Sequence, residues 1–337
     1  MEQRALGRTG YDMSVLFIGG TGTISAACVR GAVAAGHRVT ALNRGQSALR
    51  PLPGDVESVQ ADVRMDGAVA RVLAGRTFDV VCDFLSFTPD HLRRHIDAVK
   101  GRTGQYVFIS SASAYQKPVA HLPITESTPL INPFWQYSRE KIACEDLLVG
   151  LVRSEGFPAT IVRPSHTYDG GMTLTTGGWT DIDRMRRGAS VIVHGDGTSL
   201  WTVTHASDFA GWFVPLLGDR RAIGDTFHIT GDEVLTWDAI YTELAHAAGV
   251  DQPKLVHVAS EAIARALPNV GDGLLGDKAH SVVFDNTKVR SIATGYAQRV
   301  PFWRGAREIL AFHDTHPGLQ VVDRMADRAF DLLAADA

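Results

Sequence analysis

A chain of 337 residues with 45% hydrophobic and 21% charged side chains can bury a sizeable core, arranged in two lobes, and is too apolar to be disordered. Its 33 Lys and Arg against 37 Asp and Glu give a formal net charge of −4 without a basic run, which argues against nucleic acid as a partner. Cys28, Cys82 and Cys144 lack metal-like spacing and read as reduced core thiols, and no apolar stretch or N-terminal signal region points to a membrane, so a cytoplasmic protein without a metal site is expected.

Residues 1–13 read as an N-terminal extension without a functional role. Residues 15–18 are a continuous apolar run, as in a parallel strand buried on both faces. Gly19 and Gly22 follow, and without a Cβ they let the backbone turn tightly against a pyrophosphate, whose charge meets the free N–H groups of the next helix around Thr23 and Ile24. Small residues over 23–35 let that helix sit close on the sheet, Gly36 stops it, and 37–42 run as a second strand. This strand, turn, helix and strand is the setting that makes a glycine turn a dinucleotide site rather than a structural one.

Residues 56–61 form a third strand and leave Asp62 at its end, where ligands gather in open α/β sheets. A fourth strand over 80–84 is followed by an amphipathic helix over 88–100 with Pro89 in its first turn, then by a fifth strand over 105–110. Strands separated by helices imply an α/β fold, a doubly wound parallel sheet of Rossmann type. The fifth strand ends in FISSASAY, and a long helix over 135–155 carries Tyr137 and Lys141 four residues apart, hence on one face. A phenol, an ammonium and a hydroxyl thereby reach the carboxyl edge of the sheet, near where a nicotinamide lies.

With these motifs, and with IVRPSHTYDGG from Ile161, HGDGTSLWTVTHASDFA from His194, LTWDAIYTELAHAAG from Leu235 and FDNTKVR from Phe284, the chain resembles the extended short-chain dehydrogenase/reductases of the NAD-dependent epimerase/dehydratase family. The resemblance spans roughly residues 14–310. It implies a dinucleotide domain over 14–165 with a return segment near 197–230, and a smaller, discontinuous substrate lobe from 166–196 and 231–337. It makes Tyr137 the acid/base, Lys141 the cation that holds the nicotinamide ribose and favours the phenolate, and Ser111 the hydroxyl that meets the reacting oxygen, with Ser110 and Ser113 next in line. A small-molecule substrate is expected in a cleft lined by His166, Thr167, Tyr168, Trp179, Thr180, His194, Trp201 and His205, and two long helices, 88–100 and 135–155, to pair across a two-fold axis in a homodimer. Residues from Gln320 on read as a terminal amphipathic helix packed on the body, with Val321, Met325, Phe330 and Leu332 among its apolar members.

Four departures from the family pattern narrow the reading. Sugar-nucleotide 4,6-dehydratases carry an Asp-Glu pair where this chain has Ala112 and Ser113, which argues against dehydration. Trp201 stands where sugar-nucleotide epimerases place a diphosphate-gripping arginine; an indole stacks instead, with Lys278, Arg186 or Arg187 as possible replacements. The second strand ends in Asn43 and Arg44 rather than an acid, which removes repulsion against a 2′-phosphate and favours NADP over NAD. Phe84 and Phe87 replace small residues where the nicotinamide passes, a pattern shared with bacterial epimerase-like proteins and, more distantly, with chloroplast stem-loop-binding proteins. The reading is an NAD(P)-linked reductase or epimerase acting on a hydroxyl or ketone of a sugar-like metabolite, a nucleotide sugar or a glycoside. The alternative is a catalytically idle binding protein that has kept the fold, a redox-responsive regulator or an RNA binder.

Overall fold

The computed structural model describes residues 12–46 and 49–337. Residues 1–11 of the N-terminal extension lie outside the described residues. The first half of the chain alternates strand and helix: β1 (Ser14–Ile18), α1 (Thr23–Ala34), β2 (Arg38–Asn43), β3 (Glu57–Gln60), α2 (Ala68–Val72), β4 (Phe78–Asp83), α3 (Pro89–Val99), β5 (Thr103–Ile109), α4 (Gln136–Glu155) and β6 (Ala159–Pro164). Shorter strands and helices follow: β7 (His166–Tyr168), α5 (Trp179–Arg186), β8 (Ser190–His194), β9 (Leu200–Trp201), β10 (Val203–His205), α6 (Ala206–Phe213), β11 (Thr226–Ile229), β12 (Leu235–Thr236) and α7 (Trp237–Ala247). The chain closes with β13 (Lys254–Val258), α8 (Ser260–Ala266), α9 (Pro268–Gly273), α10 (Thr287–Ile292), α11 (Phe302–Thr315) and α12 (Arg324–Ala335).

Strands β11, β6, β5, β4, β1, β2 and β3 lie side by side in that order, and every pairing is parallel. The doubly wound sheet expected from the sequence is therefore present. Its strand order reverses between β1 and β4, and such a switch point opens a crevice at the carboxyl ends of the strands.

Strand alternation explains why β1 is apolar throughout. Val15 and Phe17 enter the core shared with α1 and α6, whereas Leu16 and Ile18 enter the core shared with α3 and α4. Each such buried side chain contributes about 1.5–3 kcal/mol relative to exposure. At the foot of the pair, Asp79 of β4 accepts from the backbone N–H and hydroxyl of Ser14 at 2.7 and 2.8 Å. The three cysteines are buried and unpaired in these cores.

A second core forms where α5, α7 and α11 converge, around Trp179, Trp201, Trp237, Tyr168 and Tyr241. Residues 197–230 serve both regions: β9 and β10 pair with β12 and β7, while β11 joins the edge of the large sheet. The terminal helix α12 buries Ala326 and Phe330 against β8 and α8, and Arg184 of α5 is fixed by Asp327 and Asp331 of α12. Val321, Met325 and Leu332, read from the sequence as members of its packed face, are exposed.

Neither α3 nor α4 exposes a large apolar side chain. Leu147 and Val149 pack into the same core as Ile96 and Val99, and the outward positions are Arg93, Arg94 and Asp97 on α3 and Gln136, Arg139, Asp146 and Arg153 on α4. Ile142 is half-buried and lies outside that core, so part of the apolar surface of α4 stays accessible. Among the described residues no helix is long and apolar enough to cross a membrane.

Candidate functional site

The loop from β1 to α1 is shaped by glycine. Gly19 has φ +86°, and a Cβ there would lie 2.6 Å from Leu85 Cγ. Gly20 donates its N–H to Asn43 Oδ1 at 2.7 Å, which ties the turn to the end of β2, and Gly22 caps α1 with its N–H on Ser25 Oγ at 2.9 Å. This turn forms one end of a cavity of about 900 Å³ along the carboxyl edge of the sheet. Gly19, Gly22, Ile24, Asn43, Arg44 and Asp62 all line it, as does Ser25, the third small position of the turn, together with Thr21, Arg64 and Arg94, which sequence reasoning did not single out. Thr23 opens α1 but is not part of the wall.

The cavity fits a dinucleotide. The Asn43 Nδ2 is a buried donor without a protein partner at the end of β2, where a ribose would supply an acceptor. Arg44, Arg64 and Arg94 surround the same end, with Asp62 accepting from the Arg64 N–H at 3.0 Å.

The other end is built on α4. Asn132, buried just before that helix, uses all four of its hydrogen-bonding positions: Nδ2 donates to the carbonyls of Ser113 (2.8 Å) and Gly276 (2.7 Å), and Oδ1 accepts from the N–H groups of Phe134 and Trp135, both at 3.2 Å. One side chain therefore aligns the serine loop, the start of α4 and the 274–278 segment. Tyr137 and Lys141 follow on the face of α4 that meets the cavity, which both residues line together with Ser111 and Ser110.

Lys141 is buried, and its Nζ donates to the carbonyls of Ser86 at 2.7 Å and Ile109 at 2.8 Å. It lies 4.7 Å from the Phe87 ring centroid, 4.8 Å from that of Phe108 and 5.9 Å from that of Tyr137. Burial pushes its ammonium down to about 8, opposed by the charge of Asp83. Burial likewise pushes the Tyr137 phenol up; the Ser111 hydroxyl works against this, while Asp277 and Cys144 add to it. At Tyr137 desolvation outweighs the help of Ser111, and two protons of the Lys141 ammonium are committed to backbone carbonyls.

Among the three serines, Ser110 gives its hydroxyl to buried Glu145 at 2.5 Å, and Ser113 sits behind Ser111, contacting it at 2.8 Å while accepting from Ser138 at 2.8 Å. Ser111 is left as the hydroxyl at the cavity surface.

Of the residues expected in the substrate cleft, Thr167 lines this cavity and the others do not. Strand β7 explains part of the difference, since alternation turns Ser165 and Thr167 to the cavity and His166 and Tyr168 away from it. Tyr168 is 1% exposed and packs edge-on to Phe302; Trp179 stacks on His313 at 4.8 Å. Trp201 is 2% exposed, lies 5.2 Å from Trp237 and donates its Nε1–H to His166 Nδ1 at 3.0 Å. Burial and nearby Lys278 push His166 down to about 3, so it stays neutral. Arg186 and Arg187 are engaged by Asp314 and Asp183, at 3.3 and 3.0 Å. Lys278 closes a π-helical turn, Leu274–Lys278, and helps line a second cavity of about 360 Å³ with Trp135, Thr175, Thr176 and Asn269. Phe87 walls the main cavity and is 44% exposed, while Phe84 is half in the wall and half in the core against Phe17.

Residues 15–229 match the model of the NAD dependent epimerase/dehydratase family. The chain belongs to that family. It is 28% identical over 258 residues to the chloroplast stem-loop binding protein of 41 kDa b from Arabidopsis thaliana, a match covering 73% of this chain and 66% of the relative. It is 28% identical over 242 residues to 2′-dehydrokanamycin reductase of Streptomyces kanamyceticus, covering 70% and 67%. The chain thus spans about two thirds of the length of these relatives. UDP-glucose 4-epimerase from Bifidobacterium longum, solved with NAD+ and UDP, shares the fold with a TM-score of 0.71 at 19% identity over 90% of this chain and 99% of its own.

The sequence reading missed Asp83, Ser86 and His95, which form a buried polar cluster under the family's cofactor cavity, and it missed Asn132. Asp83 had a signal, an acid at a strand's carboxyl end like Asp62. Asn132 had none, since its partners come from three distant segments.

Proposed function

We propose that this protein is an NADP-preferring oxidoreductase, a reductase or epimerase, acting on a hydroxyl or ketone of a sugar-like metabolite. The observation that carries the reading is the convergence of Ser111, Tyr137 and Lys141 on one end of a cavity whose other end is the glycine turn. Gly19, Gly22, Asn43, Arg44, Asp62 and Lys141 would hold the dinucleotide, and its nicotinamide supplies or takes up hydride when bound. Tyr137, kept protonated by burial, gives its proton to the oxygen of a ketone; Ser111 donates to the same oxygen and orients it. Lys141, anchored by two carbonyls, keeps its remaining proton for the cofactor ribose. A protonated phenol suits the reductive direction.

Two relatives, a 2′-dehydrokanamycin reductase and a UDP-glucose 4-epimerase, support a sugar ring as the reacting part. Trp201 is buried and both Arg186 and Arg187 are engaged, which leaves Lys278 alone of the three replacement cations and favours a glycoside over a nucleotide sugar. Ala112 and Ser113 offer no acid and base for dehydration. Arg44 and Arg64 beside Asp62 favour NADP, whereas Arg94 is already paired with Asp66 at 2.9 Å.

Turnover of NADPH with a panel of keto-sugars and glycosides tests the reading, with Tyr137→Phe expected to lose about 100-fold or more. Retention of wild-type turnover by that variant ends the assignment. NADPH should bind more tightly than NADH, with Arg44→Ala narrowing the gap; equal wild-type affinities remove the NADP preference. The second reading, an RNA binder, has the chloroplast stem-loop binding relative and the arginine rim in its favour. Submicromolar RNA affinity that collapses with salt, with no turnover, decides for it.

A further inference from the structure

Beneath the cavity lies a polar cluster that the reaction described above does not use. Asp83 ends β4 and its side chain is fully buried. Oδ1 accepts from the N–H groups of Leu85 and Ser86 at 2.9 and 3.0 Å, and Oδ2 accepts from the Ser86 hydroxyl at 2.5 Å, the Tyr106 hydroxyl at 2.5 Å and His95 Nδ1 at 2.8 Å. Burial alone would raise this carboxyl, but the charge of His95 and the hydrogen bonds from His95, Ser86 and Tyr106 hold it ionised, far below the usual carboxylate range, while Asp83 in turn raises His95. The same Asp83 fixes the turn at residues 85–86, and the Ser86 carbonyl of that turn accepts from Lys141 Nζ at 2.7 Å. His95 also lines the cavity.

We propose that Asp83 is a positioning residue for Lys141: a buried counter-anion that keeps the ammonium charged and, through the Ser86 carbonyl, aims it into the cavity. The inference rests on the reading of Lys141 as a cofactor-binding cation. The geometry gives it a physical necessity. A lysine this buried, with only carbonyl dipoles and the Phe87 and Phe108 rings in direct contact, tends to lose its proton. The other charged or titratable groups around it are His95 from α3, Tyr106 from β5, and Tyr137, Cys144 and Glu145 from α4 itself. Glu145 is paired with Arg163 and Asp83 with His95, and of the groups that favour the Lys141 ammonium Asp83 acts most strongly.

Fluorescence titration of NADPH across pH reads this without knowledge of the substrate. Wild-type affinity should fall as pH rises through about 8, where Lys141 loses its proton, and Lys141→Met should abolish that limb. Asp83→Asn should move the limb to lower pH by roughly one unit or more. His95→Gln keeps Asp83 charged and keeps a donor facing it, so its limb should stay in place or rise. An Asp83→Asn protein that folds normally by circular dichroism and titrates like wild type overturns the proposal. If that variant does not fold, a His95→Gln limb that falls to lower pH overturns it. Failure of wild type to bind either NADPH or NADH removes the dinucleotide reading itself, whereas binding with an unmoved limb removes only the role of Asp83.

Discussion

The helix carrying Tyr137 is anchored to the sheet by one ion pair, and Glu145→Gln isolates its contribution. Tyr137, Lys141 and Glu145 form an i, i+4, i+8 stripe on α4 facing the sheet. The Glu145 and Arg163 side chains are 2% and 5% exposed; Arg163 donates Nε–H to Oε1 at 2.9 Å and Nη2–H to Oε2 at 2.5 Å, while Ser110 adds its hydroxyl at 2.5 Å. Removing the carboxylate leaves a buried guanidinium without a counter-charge, a change that typically costs about 3–5 kcal/mol. Arg163 can still donate to the Glu126 carbonyl at 3.3 Å and lies 4.7 Å over the Tyr115 ring, so a loss near the lower end, roughly 3 kcal/mol, is expected. That is a large part of the roughly 5–15 kcal/mol that a folded domain commands. Urea unfolding followed by circular dichroism at neutral pH measures it. A Glu145→Leu, Arg163→Met double variant removes both charges at similar volume and should lie within about 1 kcal/mol of wild type or above it. A single variant within about 1 kcal/mol of wild type, or a double variant less stable than the single, refutes the reasoning.

Gly19→Ala should weaken NADPH binding by about tenfold or more, because the left-handed backbone costs about 1–2 kcal/mol for a side chain and the new Cβ displaces Leu85 from the cavity wall; unchanged affinity by fluorescence titration contradicts this. Asp181, fully buried with one oxygen unpartnered, is pushed up to about 6 by burial, so the folded state prefers its protonated form and stability falls as pH rises from about 4 to 6. Asp181→Asn keeps an acceptor for the Gly177 N–H and should be more stable than wild type by about 2–3 kcal/mol at pH 7, the gap closing near pH 4; a destabilised variant at pH 7 counts against the argument. A homodimer through α3 and α4 would cover the half-buried Ile142, Leu147 and Val149, so light scattering at micromolar concentration should give twice the 36.4 kDa chain mass, whereas the monomer mass excludes it.

The repeating units were legible without coordinates because their signals are local. The 15–18 apolar run, the glycine turn and the small-residue helix each follow from contacts within one βαβ unit, and β1, α1 and β2 fall within a residue or two of the expected positions. Tyr137, Lys141 and Ser111 were likewise accessible as candidates, since four residues along a helix and the end of a strand fix which edge of the sheet they reach. Whether an aromatic residue serves a ligand or a core has no local signal: Trp201, Tyr168 and Trp179 were plausible cleft residues, and only the convergence of α5, α7 and α11 buries them. Strand phase has the same limitation, for nothing within SHTY says that Thr167 rather than His166 meets the cavity. The protonation of Tyr137 and the surroundings of Lys141 depend on burial and on Asp83, Ser86 and Asn132, whose partners lie up to 144 residues away in sequence. Spacing along a helix decides which groups can meet; desolvation and counter-charge, which exist only after the chain has packed, decide their charge when they do.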